Sequence, residues 1–355
     1  MSEPFVAVTL ADVARSAGVS KMTVSNVINN KPGMSDATRE RVQRAINATG
    51  YVVNPAARAL SGRRSNLIGV LTPHINLPFA TEILHGASVT AEAAGLNLAI
   101  FTTANNVTLE RERATLLRTL ADGVLLVIPS ADEHHIFGNA IPVVTLGAHG
   151  HRTVQVDNHT GGALATQHLI DLGHTRIGHI AGMRDVLRDA VDRQAGYHAA
   201  LLAAGLPAPE AYVQDGEFSE ELGERAARTL LTLPEPPTAI FAANDRSAIG
   251  AVRAATALGL NVPRNVSIVG FDDIHAASVM DPPLTTIRQP LEEMGTTAAQ
   301  LLIDLIRGGT DRDAYLFPRH PDRPWLHCSS WSDAEREQLI LTALSATILT
   351  HGLKT

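Results

Sequence analysis

Over the first fifty positions the apolar residues recur at helical spacing. Leu10, Val13, Ala14 and Ala17 fall on one face of a helix. The stretch Thr9-Leu-Ala-Asp12 before and within it has the [ST]-x-x-[DE] form of a capping box, so the helix is expected to start at Leu10. Gly18 ends it. Ser20 can cap a second helix running to about Asn29, with Val24, Val27 and Ile28 as its inner face. Asn29-Asn-Lys-Pro-Gly33 reads as a loop. Ser35 caps a third helix that carries Val42, Ala45 and Ile46 inward and stops near Gly50. Two short helices joined at a glycine and closed by a third make a minimal helix-turn-helix domain. Asn54-Pro55 then gives a helix-start signal with proline at the first helical position. The segment to Leu60 is too short to hold a helix alone and reads as a linker that becomes helical in company.

From Asn66 the period changes. Apolar runs of strand length alternate with helical stretches. Strands are expected at Leu67–Leu71, Leu98–Phe101, Gly123–Ile128, Pro142–Leu146, Ile177–Ala181, Thr238–Ala242 and Val266–Phe271. Helices are expected at Ala80–Ala94, Gly161–Leu172, Asp192–Ala204 and Asp245–Leu258, with another between the second and third strands. Such alternation implies parallel sheets with helices on both faces, and two series of it imply two α/β lobes with a cleft between them. Ligands of open α/β sheets sit at the carboxyl ends of the strands. No repeat array or low-complexity tract interrupts the pattern.

Composition narrows the class. With 355 residues, 45% hydrophobic and 18% charged, the chain can bury sizeable cores. No apolar run nears the roughly 20 residues that span a bilayer. Met1 to Thr9 lacks the basic and apolar regions of a signal peptide, so a cytoplasmic protein is expected. Cys328 is the single cysteine, which fits a reducing compartment. The net charge of −7 argues at first against nucleic acid, but its distribution reverses that reading. Residues 1–64 carry nine basic and four acidic side chains, a net +5, and the rest carries −12. A basic head on an acidic body suits a head that meets phosphate.

Several stretches together resemble the lactose-repressor/galactose-repressor (LacI/GalR) family over nearly the whole chain. They are Val8-Thr-Leu-Ala-Asp-Val-Ala-Arg-Ser-Ala-Gly-Val-Ser-Lys-Met-Thr-Val-Ser-Asn-Val-Ile-Asn29, Thr38-Arg-Glu-Arg-Val42 and Gly50-Tyr-Val-Val-Asn-Pro55 in the head. Further on come Leu172-Gly-His-Thr-Arg-Ile-Gly178, Ala243-Asn-Asp245, Gly270-Phe-Asp-Asp273 and Pro283-Leu-Thr-Thr-Ile287. The resemblance implies a transcription regulator, a repressor whose hold on a pseudo-palindromic operator is set by a sugar or sugar-like effector. It also implies a homodimer, a hinge helix that orders on double-stranded DNA, and a periplasmic-binding-protein-like core without cofactor. The expected layout is a DNA-binding domain at 1–53, a hinge at 54–65 and a two-lobed effector and dimerisation domain at 66–332. The N-lobe spans about 66–158 and 288–318, the C-lobe about 159–287 and 319–332, and a tail runs over 333–355. The tail's apolar stripe of Leu341, Leu344 and Ile348 is shorter than a coiled coil needs, which favours a dimer over a tetramer. One departure bears on the effector. Where the family usually has an acid after the strand ending at Leu146, this chain has Gly147, which removes a hydroxyl acceptor.

The candidate DNA contacts follow from position and chemistry. Lys21, Met22 and Asn26 lie near the start of the second helix, where side chains enter the major groove. Lysine donates to guanine O6 and N7, and a methionine touches a thymine methyl. Asn26 can read adenine or hold a phosphate. Thr9, Ser20, Thr23, Ser25 and Asn29 suit backbone contact, though capping and local hydrogen bonds would use the same groups. In the hinge, Asn54, Ala57 and Leu60 match contact positions. The family's leucine at the place of Leu60 wedges into the minor groove, while packing against the other hinge is the plainer use. In the core, Phe79, Arg193, Phe218, Asn244 and Asp272 match effector-contacting positions. Arg193, expected near a helix start, offers a planar fork to a carboxylate or hydroxyls. A structural Arg–Asp ion pair and aromatic core packing are the alternatives. His134-His135 and His149-x-His151 lack the spaced ligand set of a zinc site, so no metal is expected. No nucleophile elbow, P-loop or H-E-x-x-H is present, which argues against an enzyme. A solute-binding protein without a DNA role would share the core but not the helix-turn-helix.

Overall fold

The computed structural model describes residues 8–52, 64–129, 137–138, 140–147, 152–184, 187–309, 315–317 and 326–327. The chain divides between Ser65 and Asn66 into two compact units.

In the first unit, α1 (Leu10–Ala17), α2 (Lys21–Ile28) and α3 (Asp36–Thr49) start where their caps direct. The Thr9 hydroxyl and amide both donate to the Asp12 carboxylate, at 2.6 and 2.9 Å. Those two bonds hold the Asp12 carboxyl below its usual range, with Arg15 adding a smaller pull. Ser20 Oγ accepts from the Thr23 amide at 3.0 Å and Ser35 Oγ from the Thr38 amide at 3.3 Å. Each supplies one of the acceptors that a helix N-terminus lacks. Val13, Val24 and Val42 are fully buried, with Ala14, Ala17 and Ala45 beside them. Burying one valine contributes about 1.5–3 kcal/mol, so three helices this short depend on that shared core. Arg39 of α3 donates to Asn30 Oδ1 and to the Lys31 carbonyl, which fixes the loop after α2 against α3.

The second unit opens with β1 (Leu67–Thr72), α4 (Pro78–Ala93), β2 (Asn97–Thr102), α5 (Val107–Leu120), β3 (Gly123–Val127), β4 (Val143–Leu146) and β5 (Thr153–Val156). It continues with α6 (Asn158–Asp171), β6 (Ile177–Ala181), α7 (Arg188–Ala203), a 3-10 turn at Glu210–Tyr212, β7 (Val213–Asp215), α8 (Glu220–Leu231) and β8 (Ala239–Ala242). Then come α9 (Asp245–Ala257), β9 (Ser267–Asp272), α10 (His275–Ser278), β10 (Thr285–Arg288), α11 (Leu291–Ile306), β11 (Tyr315–Phe317) and β12 (Leu326–His327). The strands form two six-stranded sheets, in the orders β11-β5-β4-β3-β1-β2 and β12-β10-β9-β8-β6-β7. All pairs are parallel except β10 with β12. The central strands are buried end to end, as the continuous apolar runs require of a sheet covered on both faces. The chain enters the second sheet after β5 and returns to the first through α11, which packs on α4 and against β3, β4 and β5.

Three helices begin earlier than the apolar pattern suggests: α4 at Pro78, α6 at Asn158 and α7 at Arg188. The caps of α4 and α7 are Leu77 and Leu187, which make no side-chain cap bond; the start signal at α4 is Pro78 at its first position, and α7 has no capping side chain. Arg193 therefore lies beyond the first turn of α7, not at its start. Its backbone is pressed onto α6. A Cβ on Gly162 would fall on the Arg193 carbonyl, and one on Gly196 would fall on the His159 carbonyl. This close approach brings the Arg193 side chain over the ends of the strands.

His179 of β6 is fully buried, stacked between Tyr197 and Phe241, with one ring nitrogen 2.9 Å from the Phe241 carbonyl. Burial pulls its pKa from 6.5 down to about 3, and burial likewise pulls His168 down to about 4. Both folded values are depressed, so their stabilisation is full above 6.5 and is lost as pH falls toward 4 and 3. At pH 5 each histidine costs about 2 kcal/mol relative to neutral pH. His179→Gln should remove its share. The gap in urea-unfolding free energy between wild type and His179→Gln should shrink by about 2 kcal/mol between pH 7 and pH 5. A gap that stays constant would show that His179 is not the acid-sensitive group.

Candidate functional site

On α2 successive residues turn by about 100°, so Met22, Ser25, Asn26 and Asn29 share the face opposite Val24. Met22 is 69% exposed, an unusual place for a methionine without a partner, and Lys21 beside it is exposed as well. Ser20 and Thr23 are tied to each other through their hydroxyls at 2.9 Å, and the Asn29 amide donates to the Ser25 carbonyl. Thr9, Ser20, Thr23, Ser25 and Asn29 thus all make the local bonds that capping requires, which sets the shape of the face. Met22 projects from it, and Lys21 is exposed to one side. Asn54, Ala57 and Leu60 lie outside the described residues, as do His134, His135, His149, His151, Cys328 and the tail over 333–355.

In the second unit a cavity of about 260 Å³ opens at the carboxyl ends of β1, β3 and β4 in one sheet and β6, β8, β9 and β10 in the other. Phe79, Arg193, Phe218, Asn244 and Asp272 all line it. Arg193 and Asp272 are each 5% exposed, and a buried charge needs a partner. Arg193 Nε donates to Asn158 Oδ1 at 2.8 Å, and Nη1 donates to the Ala243 carbonyl at 2.6 Å and to Asp272 Oδ1 at 3.3 Å. The guanidinium lies 3.7 Å from the Phe271 ring centroid and 5.6 Å from that of Phe218, cation–π distances that hold its plane.

Gln289 Nε2 donates to Asp272 Oδ1 at 2.7 Å. Burial pushes the Asp272 carboxyl up to about 6, while Arg193 and Gln289 keep it from rising further. Behind it Asp245 accepts from the Thr286 hydroxyl and the Ile274 amide. Burial first, and then the charge of Asp272, raise the Asp245 carboxyl well above its usual range. Asp272 adopts φ 114°, backbone that a side chain rarely accepts and that clusters at functional sites. Asn244 differs from the other four. Its Oδ1 accepts from the Ser247 amide at 2.9 Å and its Nδ2 donates to the Phe218 carbonyl at 3.3 Å. It caps α9 and pins the turn of Glu217 and Phe218, which have φ 47° and 58°.

The site therefore joins the Arg–Asp ion pair, the structural alternative, to a wall that a ligand can touch. Two of the Arg193 nitrogens are taken by the protein, and the third is the fork's remaining donor. Residue-by-residue matching did not find Asn158, Phe271, Gln289 or Asp189. Phe271 lies inside the stretch Gly270-Phe-Asp-Asp273 and Gln289 two residues beyond Ile287, so nearness to the motifs was the available signal. Asn158 and Asp189 come from helices of their own and carry no such mark. Among the described residues no three His, Cys, Asp or Glu side chains are grouped to hold a metal ion.

Residues 9–54 match the family described as bacterial regulatory proteins, lacI family, and residues 166–319 match the periplasmic binding protein-like domain. The HTH-type transcriptional regulator CelR of Thermobifida fusca is 39% identical over 316 residues, 85% of this chain and 93% of that protein. A solved complex of transcriptional regulator CelR with cellobiose superposes with a TM-score of 0.67 at 36% identity, covering 87% of this chain and 97% of the other. The lac repressor dimer bound to operator and the anti-inducer ONPF superposes with a TM-score of 0.79 at 31% identity, covering 88% and 97%.

Proposed function

The chain belongs to the LacI family of bacterial regulatory proteins, DNA-binding transcription regulators and not enzymes, and from that premise we propose that it is a repressor controlled by a small molecule bound in the cavity. The observation that carries this reading is the buried Arg193–Asp272–Gln289 set at the strand ends, in the same chain as a basic helix-turn-helix. A buried ion pair contributes little to stability by itself, so its place on a cavity wall points to a ligand. Arg193, Asp272, Phe79 and Phe218 touch the effector, a sugar or sugar-like compound, and Asn244 holds the Phe218 turn. The CelR–cellobiose complex supports the sugar class.

The DNA-binding domain is 1–53, the hinge 54–65 and the effector domain 66–332, with the lobes meeting near 158 and 287. The break between Ser65 and Asn66 supports that division. The operator is pseudo-palindromic and the protein a homodimer, by analogy with the lac repressor dimer on its operator. Among the described residues no helix is long and apolar enough to cross a membrane, and the protein works in the cytoplasm where its DNA is.

Base reading falls to Lys21 and Met22, and positioning to Ser20, Thr23, Ser25 and Asn29, with Asn26 between the two. A randomised-site selection tests this. The Lys21→Ala/Met22→Ala double variant should return a different or relaxed half-site, each lost base contact being worth about 1–3 kcal/mol of discrimination. Ser25→Ala should return the wild-type consensus with weaker binding throughout. An unchanged consensus for the double variant would remove α2 from base recognition.

A further inference from the structure

The two walls of the cavity differ in chemistry. The first-sheet wall is mostly apolar, with Leu77, Phe79, Ile83, Ile128 and Leu146; its polar side chains are His74 and Asn105, and it contributes no acid. Every acidic side chain lining the cavity, Asp189, Glu217 and Asp272, stands on the second-sheet side. At the end of β4 the first wall has Gly147, with φ +68°. A Cβ built there would lie 3.0 Å from Ile128 Cγ1 and 3.5 Å from Asp189 Oδ2. The carboxylate of Asp189, from the first turn of α7, thus crosses the cavity into the space that a side chain at 147 would fill. Asp189 is half-buried, so it is sheltered without being sealed from a ligand.

We infer that Asp189 is a specificity-determining ligand contact, a hydroxyl acceptor supplied from the second lobe at the place where the first lobe has none. The inference rests on the reading of the cavity as the effector site. It also defines the ligand class. The effector is a neutral polyhydroxylated compound whose hydroxyl edge meets Asp189, Arg193 and Asp272 and whose apolar face lies on Leu77, Phe79 and Leu146. The apolar stretch of Leu77, Phe79 and Leu146 gives hydroxyls no partner, and an unpaired hydroxyl buried there would cost more than the contact returns. The division of the walls orients the molecule.

Calorimetry on the full chain tests it with D-glucose, cellobiose, phenyl β-D-glucopyranoside, cytidine and adenosine as probes. At least one should bind, and those with an apolar face should bind more tightly than glucose. Asp189→Ala should weaken that probe about ten- to a hundred-fold, the worth of a hydrogen bond to a charged group. Asp189→Asn, which keeps an acceptor oxygen, should fall between. The double variant Gly147→Asp/Asp189→Ala should regain most of the loss, since it returns a carboxylate to the same space. Aspartate is among the few side chains that accept positive φ.

A role confined to the N-terminus of α7 would not be rescued from β4, so loss without rescue overturns the inference. Where the double variant's thermal midpoint shows it unfolded, the Asn variant decides, and binding as weak as Ala overturns the inference. A probe that binds with unchanged affinity to Asp189→Ala yet is lost with Arg193→Ala overturns it and leaves the cavity reading standing. A probe indifferent to both removes the cavity reading as well. No binding by any of the five overturns the ligand class.

Discussion

Removal of residues 1–62 should abolish sequence-specific DNA binding and leave a chain that still unfolds in one cooperative thermal transition. The charge of the protein dictates the first half. The head carries +5 and the remainder −12, so without the head the chain repels the phosphate backbone. Retained specific binding by the truncated chain would end the assignment of α2. The second half follows from the cores. The head closes on Val13, Val24 and Val42, whereas the second unit buries its own clusters under two complete sheets. A head of this size buries little surface and is marginal alone, while the clusters under the sheets are built from residues of the second unit.

The full chain should lose operator affinity steeply with salt. Counterion release makes the loss about a thousand-fold or more between 50 and 200 mM for six or more phosphate contacts, and a dimer doubles the count made by one head. A flat salt response would show that binding does not run through the basic head.

Most of the architecture was legible because the signals were local. Ser20 and Ser35 announce α2 and α3, and the buried strands read as unbroken apolar runs. Where a start went unmarked, the reading slipped. Leu77 and Leu187 cap α4 and α7 without a side-chain bond, and the start of α7 was placed four residues late, at Asp192. The alternation left 205–237 and most of 272–332 unassigned, and there the chain forms α8 and α11. Ser219 does cap α8, with its Oγ 3.1 Å from the Leu222 amide, and Ala226, Ala227 and Leu230 make its stripe. That signal was readable.

The site divides in the same way. Asn244 and Asp272 were reachable because motifs carry them, and Phe79, Arg193 and Phe218 because they match effector-contacting positions of the family. Asp189 and Asn158 belong to the site only because glycines at 162 and 196 bring α6 and α7 together and Gly147 leaves room. No periodicity records a juxtaposition across two lobes.

Arg193→Ala should yield a repressor that binds its operator near wild-type affinity and no longer responds to effector. An effector moves an equilibrium only by its differential affinity for the two states, and coupling of this kind is usually worth about 5- to 150-fold in affinity. Arg193 is the group on which the polar, second-sheet side of the cavity converges. It orients Asp272 at 3.3 Å, is stacked on Phe271 and keeps one nitrogen for the ligand. Its loss removes that donor and leaves Asp272 buried without its cation, which drives the carboxyl still higher and makes it a poorer acceptor at neutral pH.

The wild type should show a milder form of the same loss. Burial pushes the Asp272 carboxyl up to about 6, and a hydroxyl donates to it best when it is ionised, so effector affinity should be full well above that pH and fade from 7 to 5. Asp272→Asn should flatten that pH dependence. Operator affinity of Arg193→Ala, measured with and without the probe that binds wild type, decides the matter. A change in operator affinity of less than two-fold is expected. A response equal to wild type would mean that the signal enters the protein somewhere other than this cavity.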